Sequence, residues 1–273
     1  KLRMKITFLG GGNMANALIG GMLKQGFAAA DITVIDPGIE ARGKLTEAYA
    51  VNCLESAEML GNAGDLLVLA VKPQQMKEAV APFAGKLGNA VVVSIAAGLD
   101  LATLSRFLGG HRKIVRCMPN TPALIGAGIT GLCPLPEVSA DERAAADRVL
   151  SAVGSTVWID DESKMDGVTA LSGSGPAYVF LFIEAMQQAA AELGFTPEQG
   201  RQLAIETVQG AAALAAQSSD PASVLRERVT SKGGTTEAAL NKMAEMGVKA
   251  GIIAGVKAAE ARGQELGKLL GAA

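Results

Sequence analysis

Leu9-Gly10-Gly11-Gly12-Asn13-Met14-Ala15 reads G-x-G-x-x-A between a short apolar run and an amphipathic segment. In that setting Gly10 permits a tight turn and Gly12 lets the backbone approach a pyrophosphate. Ala15 lets the next helix pack closely, and the first helical N–H groups, at Asn13 and Met14, face the anion. A purely structural glycine turn is the alternative. The motif's place in the first strand-turn-helix unit of an alternating chain favours a dinucleotide, NAD or NADP.

A ribose-reading residue belongs at the end of the second strand, about 20 residues further on, and Asp36 stands there. Its carboxylate would accept from a 2′-hydroxyl and repel a 2′-phosphate. Asp36-Pro37-Gly38 is equally a good turn in which Asp touches no ligand, and Arg42 and Lys44 are near enough to serve a phosphate, so both cofactors stay open. Ala70-Val71-Lys72-Pro73 closes a third strand at its carboxyl end, where open α/β sheets bind ligands, although Lys72 could be an idle loop lysine. Met118-Pro119-Asn120-Thr121-Pro122 leaves another strand through two prolines that would hold Asn120 rigidly.

Two further stretches follow. Leu171-Ser172-Gly173-Ser174-Gly175-Pro176-Ala177-Tyr178 and Ser231-Lys232-Gly233-Gly234-Thr235-Thr236-Glu237 both read as Ser/Gly turns feeding helices. Hydroxyls and unpaired N–H groups at a helix start suit a carboxylate or phosphate, although ordinary interhelical turns look the same.

Counting excludes other chemistries. With one His, His111 in a polar loop, neither a His-rich zinc site nor a histidine relay can form, and no metal site is expected. Cys53, Cys117 and Cys133 have no C-x-x-C spacing and no preceding signal peptide, so a reducing cytoplasm is the expected compartment and Cys117 is expected to be a buried packing residue. A net charge of −2 and no basic run argue against nucleic acid. Mean hydropathy is +0.28, yet no uninterrupted apolar run reaches the roughly 18 residues of a bilayer span, so no membrane partner is expected.

The elements that must position these residues fall into two regions. Met4 reads as a coding start, so Lys1-Leu2-Arg3 is kept out of the fold reading. Across residues 4–160, short apolar strands (Ile6–Leu9, Ile32–Ile35, Leu66–Val71, Val91–Ile95, Ile114–Met118, Gly128–Cys133, Thr156–Ile159) alternate with helical segments starting near Asn13, Glu40, Gln74, Asp100 and Ser139. That rhythm predicts a Rossmann-type, doubly wound parallel sheet. Residues 161–273 read as all-α, with a strong start at Thr196-Pro197-Glu198-Gln199 and a stop near Gly247. No aromatic residue follows Phe195, and small residues crowd the last helices. So little bulk for a private core predicts burial against a second subunit, a self-contained bundle being the alternative.

Taken together, the Gly-rich turn, Ala70 to Pro73, Met118 to Pro122, Ser172 to Tyr178 and Val229 to Leu240 resemble pyrroline-5-carboxylate reductase over essentially the whole chain from Met4. The resemblance implies reduction of 1-pyrroline-5-carboxylate to L-proline by NADPH or NADH. It also implies a helical dimerisation domain that makes at least a dimer and places the Ser231 to Thr236 loop over the nicotinamide. On that footing the N–H groups of Ser231, Lys232, Gly233, Gly234 and Thr235 are expected to hold the substrate carboxylate, with Ser174 as a further substrate-binding residue. The Thr236 hydroxyl would bond the ring nitrogen, and Asn120 would order the nicotinamide. Lys232 departs from the Pro of many relatives. A hydroxyacid reductase using Lys164, and a non-catalytic NAD(P)-sensing protein, are the rival readings.

Overall fold

The computed structural model describes residues 3–273; Lys1 and Leu2, set aside above, lie outside the described residues. Contacts divide the chain into two compact units, one holding the residues up to Ser174 together with Ala259–Ala273, the other Gly175–Ala258. The sequence reading drew its boundary at residue 160, where strand-like runs stop.

In the first unit the elements run β1 (Ile6–Leu9), α1 (Asn13–Lys24), β2 (Ile32–Ile35), α2 (Ile39–Tyr49), β3 (Asn52–Leu54), β4 (Leu66–Leu69), α3 (Met76–Val80), β5 (Val91–Ser94), α4 (Leu101–Phe107), β6 (Ile114–Met118), β7 (Gly128–Pro134), α5 (Ala140–Leu150) and β8 (Gly154–Trp158). Sheet order is β3-β2-β1-β4-β5-β6-β7-β8. The order reverses between β1 and β4, which is where a doubly wound sheet opens a crevice at its carboxyl edge.

Alternate residues of each strand go to opposite faces, and both faces are covered. Ile6, Phe8, Val68 and Val93 pack with Leu18 and Ile19 of α1 and Val149 of α5. Leu67, Leu69, Val92 and Ile114 pack with Met76 of α3 and Leu104 of α4. Each such large side chain contributes about 1.5–3 kcal/mol relative to exposure, which holds the strand ends, and hence the crevice, in place.

Two strand-level expectations are corrected. The sheet is not wholly parallel, because β7 runs antiparallel to β6. Nine residues separate these strands, too few for a parallel crossover, which takes about a dozen or more. A further strand, β3, pairs with β2 from Thr33↔Asn52 to Ile35↔Leu54. Where β7 and β8 begin, Gly128 stands opposite Gly154, and a Cβ on Gly154 would lie 1.9 Å from the Gly128 carbonyl oxygen.

Caps agree with the sequence. Asp100 accepts from the Thr103 N–H at 2.7 Å, and Ser139–Glu142 and Thr196–Gln199 form capping boxes at the starts of α5 and α8 (Pro197–Gln217). The stretch expected to be a Ser/Gly turn at Ser172 to Tyr178 is not one. α6 (Met165–Val168) passes through a π-helical turn, Thr169–Gly173, into α7 (Gly175–Glu192). The Ser174 N–H donates to Thr169 O at 2.7 Å and the Ser172 hydroxyl to Val168 O at 3.0 Å. In a regular helix the Pro176 ring would collide with the carbonyl four residues back, and a widened turn just before it relieves that collision.

In the second unit α7, α8, α9 (Ala222–Arg228), α10 (Thr235–Glu245) and the first part of α11 (Val248–Gly271) make up the chain. Only Gly200 and Ala204 are buried between residues 175 and 258. Phe180, Leu181, Phe182 and Ile252 are exposed, and Tyr178, Phe182, Val208, Ile252 and Val256 help line an apolar cavity of about 790 Å³. The helical stretch Glu162–Glu192 has the length and mean hydropathy, 1.2, to cross a membrane by composition alone. Its apolar character is spread through the helix rather than gathered in one uninterrupted run.

The rest of α11 belongs to the first unit. There Leu270 packs on the core beneath α3 and α4, Gly271 O accepts from Arg106 at 2.8 Å, and Ala273 O accepts from Lys77 at 2.7 Å. Cations on the last carbonyls suit the negative end of a helix.

Candidate active site

The crevice between the carboxyl ends of β1, β2 and β4 has a volume of about 620 Å³ and is lined by Gly10, Gly12, Asp36, Ala70, Val71 and Lys72 among others. Gly10 has φ +102°, and a Cβ there would sit 2.6 Å from Ala70 O, so the turn requires glycine on both conformational and steric grounds. Gly12 differs, since a Cβ on it would meet nothing within 4 Å. No side chain caps α1, which leaves the N–H groups of its first turn, at Asn13 and Met14, without intrahelical partners. Open ground in front of Gly12 beside free amides fits a pyrophosphate.

Asp36 is fixed at the rim. Its Oδ2 accepts from the Gly11 N–H at 2.9 Å and its Oδ1 from the Gly38 N–H at 2.7 Å. Arg42 donates to the Asp36 carbonyl at 2.8 Å. Pro73 starts the 3-10 turn after Lys72. The sequence reading missed Glu55, Ser56 and Glu58, which also line the crevice. They follow β3, and a three-residue strand carries too little periodic signal to reveal what lies at its end.

Other expected site residues sit elsewhere in the first unit. The Met14 side chain packs against the core, so only its backbone can serve a ligand. The Asn13 side chain lines a separate cavity with Asn16, Lys24 and Tyr49. Asn120 Oδ1 accepts from the Ile129 N–H at 3.0 Å, tying the start of the Thr121–Ile125 turn to β7. His111 is not simply solvated, because its Nε2 lies 2.7 Å from Ala90 O. Lys164 is exposed at the end of the 3-10 turn Glu162–Lys164.

Sequence reasoning missed the role of Arg116. Buried on β6, it pairs with Glu162 at 3.1 Å and Asp166 at 3.7 Å, and Glu162 also accepts from the Leu101 N–H at 2.7 Å. These bonds pin the strand that delivers Met118 and Asn120 to the helix that delivers Gly173 and Ser174. Burial raises the pKa of the Cys117 thiol and pushes Cys133 up to about 11. Neither is a nucleophile at neutral pH. Among the described residues no cluster of His, Cys, Asp or Glu could hold a metal.

In the second unit, Ser231, Lys232, Gly233 and Thr235 are exposed and Gly234 and Thr236 half-buried. Gly234 is the N-cap of α10, with no side-chain cap. Two of the expected anion-binding amides are engaged within the loop. The Gly234 N–H donates to Ser231 O at 3.0 Å, and the Gly233 N–H donates to Glu237 Oε1 at 3.2 Å. Gly233 has φ +77°, the left-handed conformation that turns the chain into the helix. Since Gly234 holds the cap position, the Thr236 hydroxyl is not used to cap the helix.

Comparison with known proteins agrees with this anatomy. Residues 162–266 match the family model for pyrroline-5-carboxylate reductase dimerisation, and residues 5–98 match that for coenzyme F420-dependent NADP oxidoreductase. The first match supports homo-oligomerisation. The chain is 46% identical to the pyrroline-5-carboxylate reductase of Pseudomonas aeruginosa over 98% of both chains, and 35% identical to that of Escherichia coli over 98% of this chain and all of the other. A solved pyrroline-5-carboxylate reductase from Coxiella burnetii superposes with a TM-score of 0.90 at 35% identity, covering 97% of this chain and 99% of that one. The Plasmodium falciparum pyrroline carboxylate reductase, solved with NADP bound, superposes at 0.86 with 29% identity, covering 97% and 98%. With a Rossmann-type crevice in the first unit, a match to the dimerisation family model over residues 162–266 and relatives matched along nearly their whole length, the chain belongs to the pyrroline-5-carboxylate reductases, NAD(P)H-dependent oxidoreductases.

Proposed function

We propose that the chain reduces the C=N bond of 1-pyrroline-5-carboxylate to give L-proline, the last step of proline synthesis, and that the work is divided between its two regions as follows. Residues 4–160 bind the dinucleotide. Gly10, Gly12 and the Asn13 and Met14 amides cradle the pyrophosphate, Asp36 reads the adenosine ribose, Ala70, Val71 and Lys72 wall the crevice with Pro73 setting the turn that follows them, and Asn120 holds the neighbouring turn in place. Residues 161–273 make the dimer and recognise the substrate.

When bound, NAD(P)H supplies the hydride. The chain's own task is to orient a cyclic iminium whose nitrogen already carries its proton near neutral pH, so no strong side-chain acid is needed and one histidine suffices. The amides of Ser231, Lys232 and Thr235 bind the carboxylate, Gly233 joins them once the substrate displaces Glu237, Gly234 shapes the turn through its bond to Ser231 O, and Ser174 is a further polar contact. The Thr236 hydroxyl donates to the ring nitrogen, whose lone pair appears as the hydride reaches the carbon, so that this bond strengthens as the amine forms. The observation that carries the reading is the uncapped first turn of α1 beside open space at Gly12, a cradle without a use in a merely structural glycine turn.

A cytoplasmic location is the compartment proposed, supported by three free cysteines. The test is oxidation of NADPH and of NADH with and without added pyrroline carboxylate, with proline measured as product. Oxidation that ignores the imine, or that yields no proline, overturns the proposal.

A further inference from the structure

NADPH differs from NADH by one phosphate on the adenosine 2′-oxygen. A site that accepts it must supply cations or free N–H groups where the second strand ends. Here the backbone amides that flank Asp36 are held by its carboxylate. Pro37 has no N–H, the Gly38 N–H donates to Asp36 Oδ1, and the Gly11 N–H donates to Asp36 Oδ2. The first turn of α2 adds exposed Ile39 and acidic Glu40. Arg42 has one guanidinium nitrogen on the Asp36 carbonyl and does not line the crevice.

Charge in the crevice points the same way. Asp36, Glu55, Glu58 and Glu78 line it, against one lysine, Lys72, which stands after β4 and not on the β2 turn. The Asp36 carboxylate cannot swing aside at little cost, because doing so strands two amide donors. It can, however, accept from ribose hydroxyls while keeping both amides, since an ionised carboxylate offers about four lone-pair sites.

We propose that this reductase selects NADH over NADPH and that Asp36, locked by Gly11 and Gly38, is the specificity-determining residue. The inference rests on the crevice being the dinucleotide site and deepens that reading.

The test is a nicotinamide-fluorescence titration of the wild-type protein with NADH and with NADPH, no imine present. NADH is expected to bind at least about tenfold more tightly, the scale of one charge-assisted hydrogen bond gained and one like-charge contact avoided. Asp36→Ser should raise the Kd for NADH and lower that for NADPH, moving the ratio about 10- to 100-fold, and Asp36→Ser with Pro37→Arg should move it further. If the Ser variant does not fold, Asp36→Asn removes the charge while preserving shape, and the wild-type ratio decides on its own. Equal or tighter binding of NADPH by the wild type, or a folded Asp36 variant with an unchanged ratio, overturns the selectivity. Binding of neither dinucleotide overturns the crevice assignment, and the selectivity with it.

Discussion

Glu237, in the first turn of α10, reaches back to accept a hydrogen bond from the N–H of Gly233 at 3.2 Å. The chain thereby puts a carboxylate of its own on one of the amides proposed to hold the substrate's carboxylate. An incoming substrate must compete with it.

Glu237→Gln should therefore lower the KM for pyrroline carboxylate by about two- to fivefold, the scale of an exposed charge interaction. The same change removes an acid from a helix start and should cost about 0.3–1 kcal/mol of stability. A raised KM in a variant that is otherwise folded would show that Glu237 organises the loop instead of competing with the substrate.

Gly12→Val and Gly10→Ala should fail for different reasons. At Gly12 nothing within 4 Å obstructs a Cβ, so the Val variant should fold, at a cost of about 1 kcal/mol for a poorer N-cap, and lose NAD(P)H binding by fluorescence titration. At Gly10 even a methyl group meets Ala70 O at 2.6 Å and the φ is +102°. Its Ala variant should lose stability, by about 1–3 kcal/mol for the backbone strain alone. Wild-type NAD(P)H affinity in Gly12→Val would remove that residue from the site.

Thr236→Val nearly preserves volume and β-branching while deleting the hydroxyl. Because Gly234, not Thr236, caps α10, melting temperature should be unchanged. Turnover should fall roughly 10- to 100-fold in kcat/KM, matching about 1–3 kcal/mol for a bond that strengthens as the nitrogen lone pair develops. A stable Val variant with wild-type kcat/KM refutes the assigned role.

Thiol labelling gives a check on the core. Cys117 and Cys133 are buried and Cys53 half-buried, and burial raises the first two thiols, Cys133 to about 11. At mildly alkaline pH a thiol reagent should modify one cysteine per native chain, Cys53, and all three after denaturation. Rapid labelling of Cys117 in the native protein would contradict the packing of β6.

Much of the crevice was legible because its residues obey local rules. Gly10, Gly12 and Ala15 are dictated by turn and packing sterics, and β1 and β2 span the residues their apolar runs indicate. What escaped depends on partners distant in sequence. The antiparallel turn of β7 comes from the length of a connection and not from its residue pattern. β3 has one exposed and two half-buried residues, so it lacks the apolar face that marks a strand. At Ser172 to Pro176, Gly and Pro usually signal a break, and only the π-helical turn lets the helix run on. The pair of Arg116 with Glu162 spans 46 positions and leaves no periodic trace.

Gly128 and Gly154 line no part of the crevice at the ends of β1, β2 and β4, yet a side chain on Gly154 has nowhere to go. Gly21 is as confined, with Ala152 O 2.3 Å from where its Cβ would be. A selection that scores cell growth would thus reject substitutions at these three positions as firmly as at Gly12. The resulting intolerance map would trace backbone collisions and nucleotide contact in one undifferentiated pattern. Separating them takes a second readout, the amount of folded protein, since only Gly12 is expected to leave that amount intact.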